Sequence, residues 1–449
     1  MDTLVQIAQL VLMLSILVIL HEFGHYITAK MFKVRVEKFY LFMDAGFALF
    51  KKKIGETEWG IGWLPIGGYV KLSGMIDESM DTEQLKSEPK PWEFRSKPAW
   101  QRLIIMMGGI IVNILLAWFI YTMVYCTYGK KYVATEMVQR DGLAFGQTGL
   151  NVGFKNGDRV VSVDGKYQER FDRMILDVLL GDDIKIQRDG QEINLHLTDE
   201  NKKEILDKEG RDFMNPLVNA TVVDSFSQKS LAADAGLMMG DTIVGVNGKP
   251  LMYRAQVEEQ AYKNKGSSIT LNINRNGAPL EIKTKVEKEN IEKNGLLGFY
   301  HYSVGKPKYT ITEHYNFFTA IPKSMEESYF LLVYNVKQFK LILRPDTGAY
   351  KHVKSVVGIA SSMPTTWDWE FFWKFTALFS IGLAFMNVLP IPGLDGGHAL
   401  FTIAEMVTGR KLSDKAASVV QTVGMVILLS LMVLTFGKDI YDIVARKFF

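Results

Sequence analysis

The 449-residue sequence predicts a polytopic α-helical membrane protein: four transmembrane helices, a mainly-β domain outside the membrane and a membrane-associated β-loop on the cytoplasmic side. Three observations predict it. Four long runs are apolar and almost free of charge. A strand-and-turn pattern occurs twice between the second run and the third. Apolar and small residues surround a glycine pair between the first run and the second.

The runs are Val5–Ala29, Leu103–Tyr125, Phe375–Leu394 and Ala416–Gly437. At 1.5 Å per helical residue each spans about 30 Å of hydrocarbon. The first is not read as a cleavable signal peptide, because it lacks a basic start and a small-residue cleavage site. A mean hydropathy of +0.05 is the average of these runs and an otherwise ordinary chain. Lys plus Arg is 52 and Asp plus Glu is 49, a balance that argues against nucleic acid as a partner. Cys126 is the single cysteine, which excludes an intrachain disulfide and a cysteine-built metal site.

Loop charge orients the spans. No Lys or Arg precedes Lys30, and 13 lie from Lys30 through Arg102. The positive-inside rule places the 30–102 loop in the cytoplasm and the long segment after the second span outside.

The first run holds one ionisable cluster, His21-Glu22-Phe23-Gly24-His25. Residues four apart share a helix face, so His21 and His25 can bind one metal, with Glu22 beside them to act on a water. With 7 histidines in the chain, chance produces this spacing on the order of 0.006 times. Ionisable groups inside a span are costly and are retained for function. A catalytic zinc needs a third protein ligand and an open position. Asp44 stands further along, in the cytoplasmic loop. Asp395 stands in Asn387-Val388-Leu389-Pro390-Ile391-Pro392-Gly393-Leu394-Asp395-Gly396-Gly397-His398, where prolines and glycines break the third span. Spans one and three run the same way, so HExxH and Asp395 lie near the same membrane face. Asp395 is therefore the preferred ligand, and His398 is given a supporting role.

HEFGH in the first span, together with NxxPxxxLDG in the third, resembles the site-2 protease family of intramembrane zinc metalloproteases. The layout is similar to the family's bacterial subgroup of regulator-of-sigma-E proteases. The resemblance implies Zn2+ held by His21, His25 and Asp395, with Glu22 as general base. It implies that Asn387 holds substrate backbone near the metal. It further implies that the segment around Gly67 and Gly68 is a re-entrant β-hairpin that pairs with an unwound substrate. Gly108, Gly109 and Asn113 resemble the family's small-residue motif in the second span and are read as packing. Lys51, Lys52 and Lys53 are read as a solvated or lipid-headgroup face, and 77–97 as a polar surface segment.

In the outer segment, Val152–Lys166 and Ala235–Lys249 align with one another, and seven of their 15 positions are identical. Each ends in a tight Asp-Gly or Asn-Gly turn, the mark of a hairpin. The pair resembles bacterial PDZ domains, folds that take an extended peptide on a sheet edge; the resemblance leaves open whether the tandem captures peptide or excludes substrates with large outer domains. Leu332, Val336, Phe339 and Leu343 follow at helical spacing, as in an amphipathic interfacial helix.

The expected domains are 1–29, the first span; 30–102, the cytoplasmic loop; 103–127, the second span; 128–212 and 213–288, the PDZ-like modules; 289–372, a linker with the interfacial helix; 373–398, the third span with the LDG motif; and 399–449, a connecting loop, the fourth span and the tail. The function expected is cleavage of transmembrane segments of single-pass membrane proteins, anti-sigma-factor-like, or of remnant signal peptides. The expected location is the bacterial inner membrane, with the modules extracytoplasmic and the active site near the cytoplasmic face. A scaffold with a structural metal has no use for Glu22. A metal transporter would need a relay of carboxylates that these spans lack.

Overall fold

A computed structural model describes residues 2–75, 88–140, 142–208, 213–217, 221–226, 230–251, 254–286, 297–301, 310–353, 355–360, 362–410 and 413–448. They form two compact units. The first is Met1–Lys130, His314–Lys337 and Val353–Phe449, and the second is Lys131–Glu313 and Gln338–His352.

Three helices of the first unit are long and apolar enough to cross a membrane: Leu4–Met31 within α1 (Asp2–Met31), α2 (Ala99–Tyr128) and Trp369–Val388. α1 ends with Lys30 in its last turn, where a cation meets the negative end of the helix dipole. α2 starts after Pro98 and stops at Gly129, whose φ of 73° closes the last turn onto Tyr125. Between α1 and α2 come β1 (Val36–Ile54) and β2 (Thr57–Leu72), joined by Gly55 and Glu56.

These two strands pair twice. Ile54 faces Thr57 across the turn, and Leu41 faces both Ile61 and Gly68. The sheet therefore makes four passes, in the order 48–54, 57–62, 36–41 and 68–72, with the last pass at an edge. The glycine pair is not the hairpin turn. It opens that last pass, where Gly67 takes φ 68° and a Cβ on Gly68 would lie 2.6 Å from Val18. The far end of the hairpin exposes Phe47, Leu49, Phe50 and Ile54 next to the three lysines. Residues 77–87 of the expected polar segment lie outside the described residues.

α3 (Phe317–Ile342) buries Ala320 against α2, and Ser324 shares a 2.8 Å hydrogen bond with Thr122. The face of the expected interfacial helix that includes Ser324 is thus packed on a span. α4 (Trp369–Val388) ends well before the expected bound at 398. Pro390 and Pro392 are the cause: neither carries an N–H, and Leu389 is held extended (φ −60°, ψ 141°) before Pro390. α5 (Asp395–Thr408) starts at the LDG aspartate, and α6 (Asp414–Phe448) includes the shorter apolar stretch Val419–Thr435.

The second unit has two separate apolar cores, one drawn from Val138–Met214 and the other from Val223–Leu297. The aligned segments occupy equivalent places in them. Arg188 clasps Asp158 through Nε and Nη2 (2.8 and 2.7 Å) and also donates to the Gly153 carbonyl. Arg275 clasps Asp241 (2.7 Å twice) and donates to the Gly236 carbonyl. The Arg275 hydrogen bonds hold the Asp241 carboxyl below the usual carboxylate range. The first core runs past the expected bound at 212, because Met214–Pro216 pairs with Leu143–Phe145. The second runs past 288, because Phe299–His301 pairs with the strand Thr221–Phe226.

Candidate active site

The helical frame of α1 carries His21 and His25 on one face, both 7% exposed. Their Nε2 atoms are 3.4 Å apart. Asp395, at the start of α5, brings Oδ2 to 3.2 Å from each. Among the described residues these three form the group able to hold a metal ion. The Oδ2 is buried and accepts no hydrogen bond. On His25, Nδ1 lies 2.9 Å from the Ile105 carbonyl and donates to it, which leaves Nε2 as a lone pair facing Asp395 Oδ2.

The triangle has edges of 3.2, 3.2 and 3.4 Å. A tetrahedral zinc with bonds of about 2.0–2.1 Å requires edges of about 3.3–3.4 Å between ligand atoms. Two imidazole nitrogens and a carboxylate oxygen are also a donor set that zinc takes with its fourth position open. The residues fit the ion.

A cavity of about 200 Å3 meets this triangle. It is lined by His21, Glu22, His25, Asp395, Asn387, Gly67 and Gly68, so every site residue expected from the sequence is in one place. Tyr69 and Val70 of the edge pass line it too, and the Val70 backbone amide faces the Glu22 carboxyl. His398 lines the cavity but stands outside the three-ligand group. Asp44 is elsewhere, on β1, where Tyr69 donates to it at 3.0 Å and Lys38 lies 3.8 Å away.

The turn that delivers Asp395 is built from glycines and anchored from α6. Gly393 adopts φ 98°, and its N–H reaches the Gln421 side chain at 3.3 Å. A Cβ on Gly396 would lie 2.3 Å from the Leu389 carbonyl, and one on Gly424 would overlap Pro392. Only hydrogens fit between these backbones.

The sequence profile of Peptidase family M50 matches residues 9–431. The chain belongs to peptidase family M50. It is a site-2-type metalloprotease by that membership. Regulator of sigma-E protease RseP of Escherichia coli K12 is 28% identical, over 96% of this chain and 98% of the relative. A putative zinc metalloprotease of Vibrio cholerae is 28% identical over 98% and 99%. Protease RseP of Yersinia pestis is 27% identical over 98% and 99%.

Some groups of this M50 site do more than their sequence motif implies. Gly24, a variable position of HExxH, meets Gly108 backbone to backbone, with a Cβ on either placed 2.3 to 2.5 Å from the other's carbonyl oxygen. Gly109 lies over the histidines themselves: its Cβ would be 2.5 Å from His25 Nε2 and 2.6 Å from His21 Cε1. The glycine motif of α2 is thus packing, but packing that makes room for the ligands. Gly109→Ala will lower zinc affinity on the order of 10–100-fold, measured by chelator competition on the purified protein. Gly382→Ala, which meets nothing within 4 Å, serves as the control and will leave affinity unchanged.

Proposed function

We propose that this M50 peptidase is an intramembrane zinc endopeptidase that cuts transmembrane segments of single-pass membrane proteins, anti-sigma-factor-like, or signal-peptide remnants. The observation that carries the reading is the triangle of His21, His25 and Asp395 beside Glu22, in a cavity lined by an edge strand. Bound zinc would supply a Lewis acid for the scissile carbonyl and acidify water toward a pKa of about 7. Glu22 takes the proton from the attacking water and passes it to the leaving amine.

The substrate must be extended to be cut, because a helix hides its backbone in its own hydrogen bonds. The edge pass 68–72 offers main-chain groups to an unwound segment by β-augmentation, with Gly67 and Gly68 keeping its entry free of side chains. Asn387 holds the substrate backbone beside the metal ligands. The hairpin tip, apolar with three lysines, suits a lipid interface. Four spans, the fourth within α6, would set the protein in the bacterial inner membrane. The two modules of the second unit, read as PDZ-like and open to an extended peptide, would then lie outside, and the active site near the cytoplasmic face.

Full-length protein in detergent will cleave a single-pass transmembrane substrate, lose the activity when a chelator removes zinc, and regain it when zinc alone is returned. Cleavage that continues in protein shown by metal analysis to be zinc-free would end this reading.

A further inference from the structure

Asn113 of α2 is fully buried, and its side chain lies against His21 rather than between helices alone. As placed, its Nδ2 is 3.0 Å from His21 Nδ1, while Asn387 Nδ2 is 3.2 Å from His21 Nε2. Two amide donors therefore face the two nitrogens of one ring. A neutral imidazole has one donor and one acceptor, and a charged one has two donors, so at least one amide must be turned. Asn113 carries one such amide. Its Oδ1 is buried with no hydrogen-bond partner. Exchanging the amide's oxygen and nitrogen, which only their partners distinguish, sets that oxygen against Nδ1.

We propose that Asn113 is a positioning residue whose side-chain oxygen accepts the Nδ1–H of His21 and so keeps Nε2 a lone pair aimed at the metal. The arrangement repeats the one at His25. There the acceptor on Nδ1–H is the Ile105 carbonyl, two turns earlier on the same helix. α2 thus fixes the tautomer of both histidines, once by main chain and once by side chain. Ser380 of α4 donates at 2.7 Å to the Asn113 carbonyl and steadies that turn of α2. Partners of this kind orient a ligand and raise its basicity, and their loss lowers metal affinity about 10–100-fold.

The inference rests on the zinc reading, and its test separates the two. The rise in melting temperature on adding zinc to chelator-stripped, full-length protein reports metal affinity, since binding to the folded state stabilises it by mass action. Asn113→Ala and Asn113→Ser, both smaller than asparagine, will leave the zinc-free melting temperature near wild type and cut zinc affinity about 10–100-fold. Asn113→Asp, which keeps an acceptor in the same volume, will restore it. An alanine or serine variant with wild-type zinc affinity would overturn the assignment. So would an aspartate variant as weak as the alanine one, or a fall in melting temperature equal with and without zinc. If the wild-type protein shows no zinc-dependent rise that His21→Ala removes, the zinc reading itself has failed.

Discussion

Glu22→Gln will lower kcat on a transmembrane substrate by about 10²–10⁴-fold while zinc content stays at wild type. Glutamine keeps the shape and the hydrogen-bonding reach of the side chain but cannot take a proton. Glu22 lines the cavity and is not among the three atoms that converge on the metal position, so its loss leaves those three as they are. Rate measured in detergent, with zinc per chain measured on the same sample, separates the two effects. A Glu22→Gln enzyme that cuts at the wild-type rate would remove Glu22 from the base role. A variant that lost zinc along with activity would move it into the ligand set. In cells the inactive variant will hold uncut substrates, and membrane stubs that accumulate with it will name the substrate class directly.

Asp395→Ala has the second large effect. It removes one corner of the triangle and leaves two imidazoles with no carboxylate. Zinc affinity will fall by more than the roughly 10–100-fold that follows loss of an outer partner. Zinc per chain after dialysis against a weak chelator gives the measurement. Asp44→Ala, on β1 and outside the cavity lining, though hydrogen-bonded to Tyr69 of that lining, will keep full zinc. Full occupancy in the Asp395 variant would strike that residue from the ligands.

The three residues that converge in the triangle were legible in the sequence because each obeys a local rule. His21 and His25 share a face by helical period, and the parity of the spans places Asp395 at their depth. The break after α4 was legible from Pro390 and Pro392. The segment around the glycine pair was read as a bent or hairpin strand, without a residue assigned to the turn. Its chemistry suits a turn, but Gly55-Glu56 turns the chain, and the pair serves to pass close under α1. Nothing in the residue string distinguishes those uses, since both need a glycine. The acceptors on the histidines were hidden for a different reason. Ile105 acts through its carbonyl, which every residue has, and Asn113 on a helix–helix seam looks like any polar residue used for packing. The module bounds were off because Met214–Pro216 pairs with Leu143–Phe145, a strand from the opposite end of its module, and local patterning carries no trace of such a pairing.

His25 and Asp395 stand near opposite ends of the chain, and the proposed zinc joins them. In chain terms the ion is a crosslink over most of the polypeptide. A growing chain carries two histidines and a glutamate as soon as its first span has been made. It has no third corner until the broken third span has been made and has folded back beside the first. On the proposed ligand set, catalytic competence therefore waits for Asp395, and a copy cut short before it lacks the third corner.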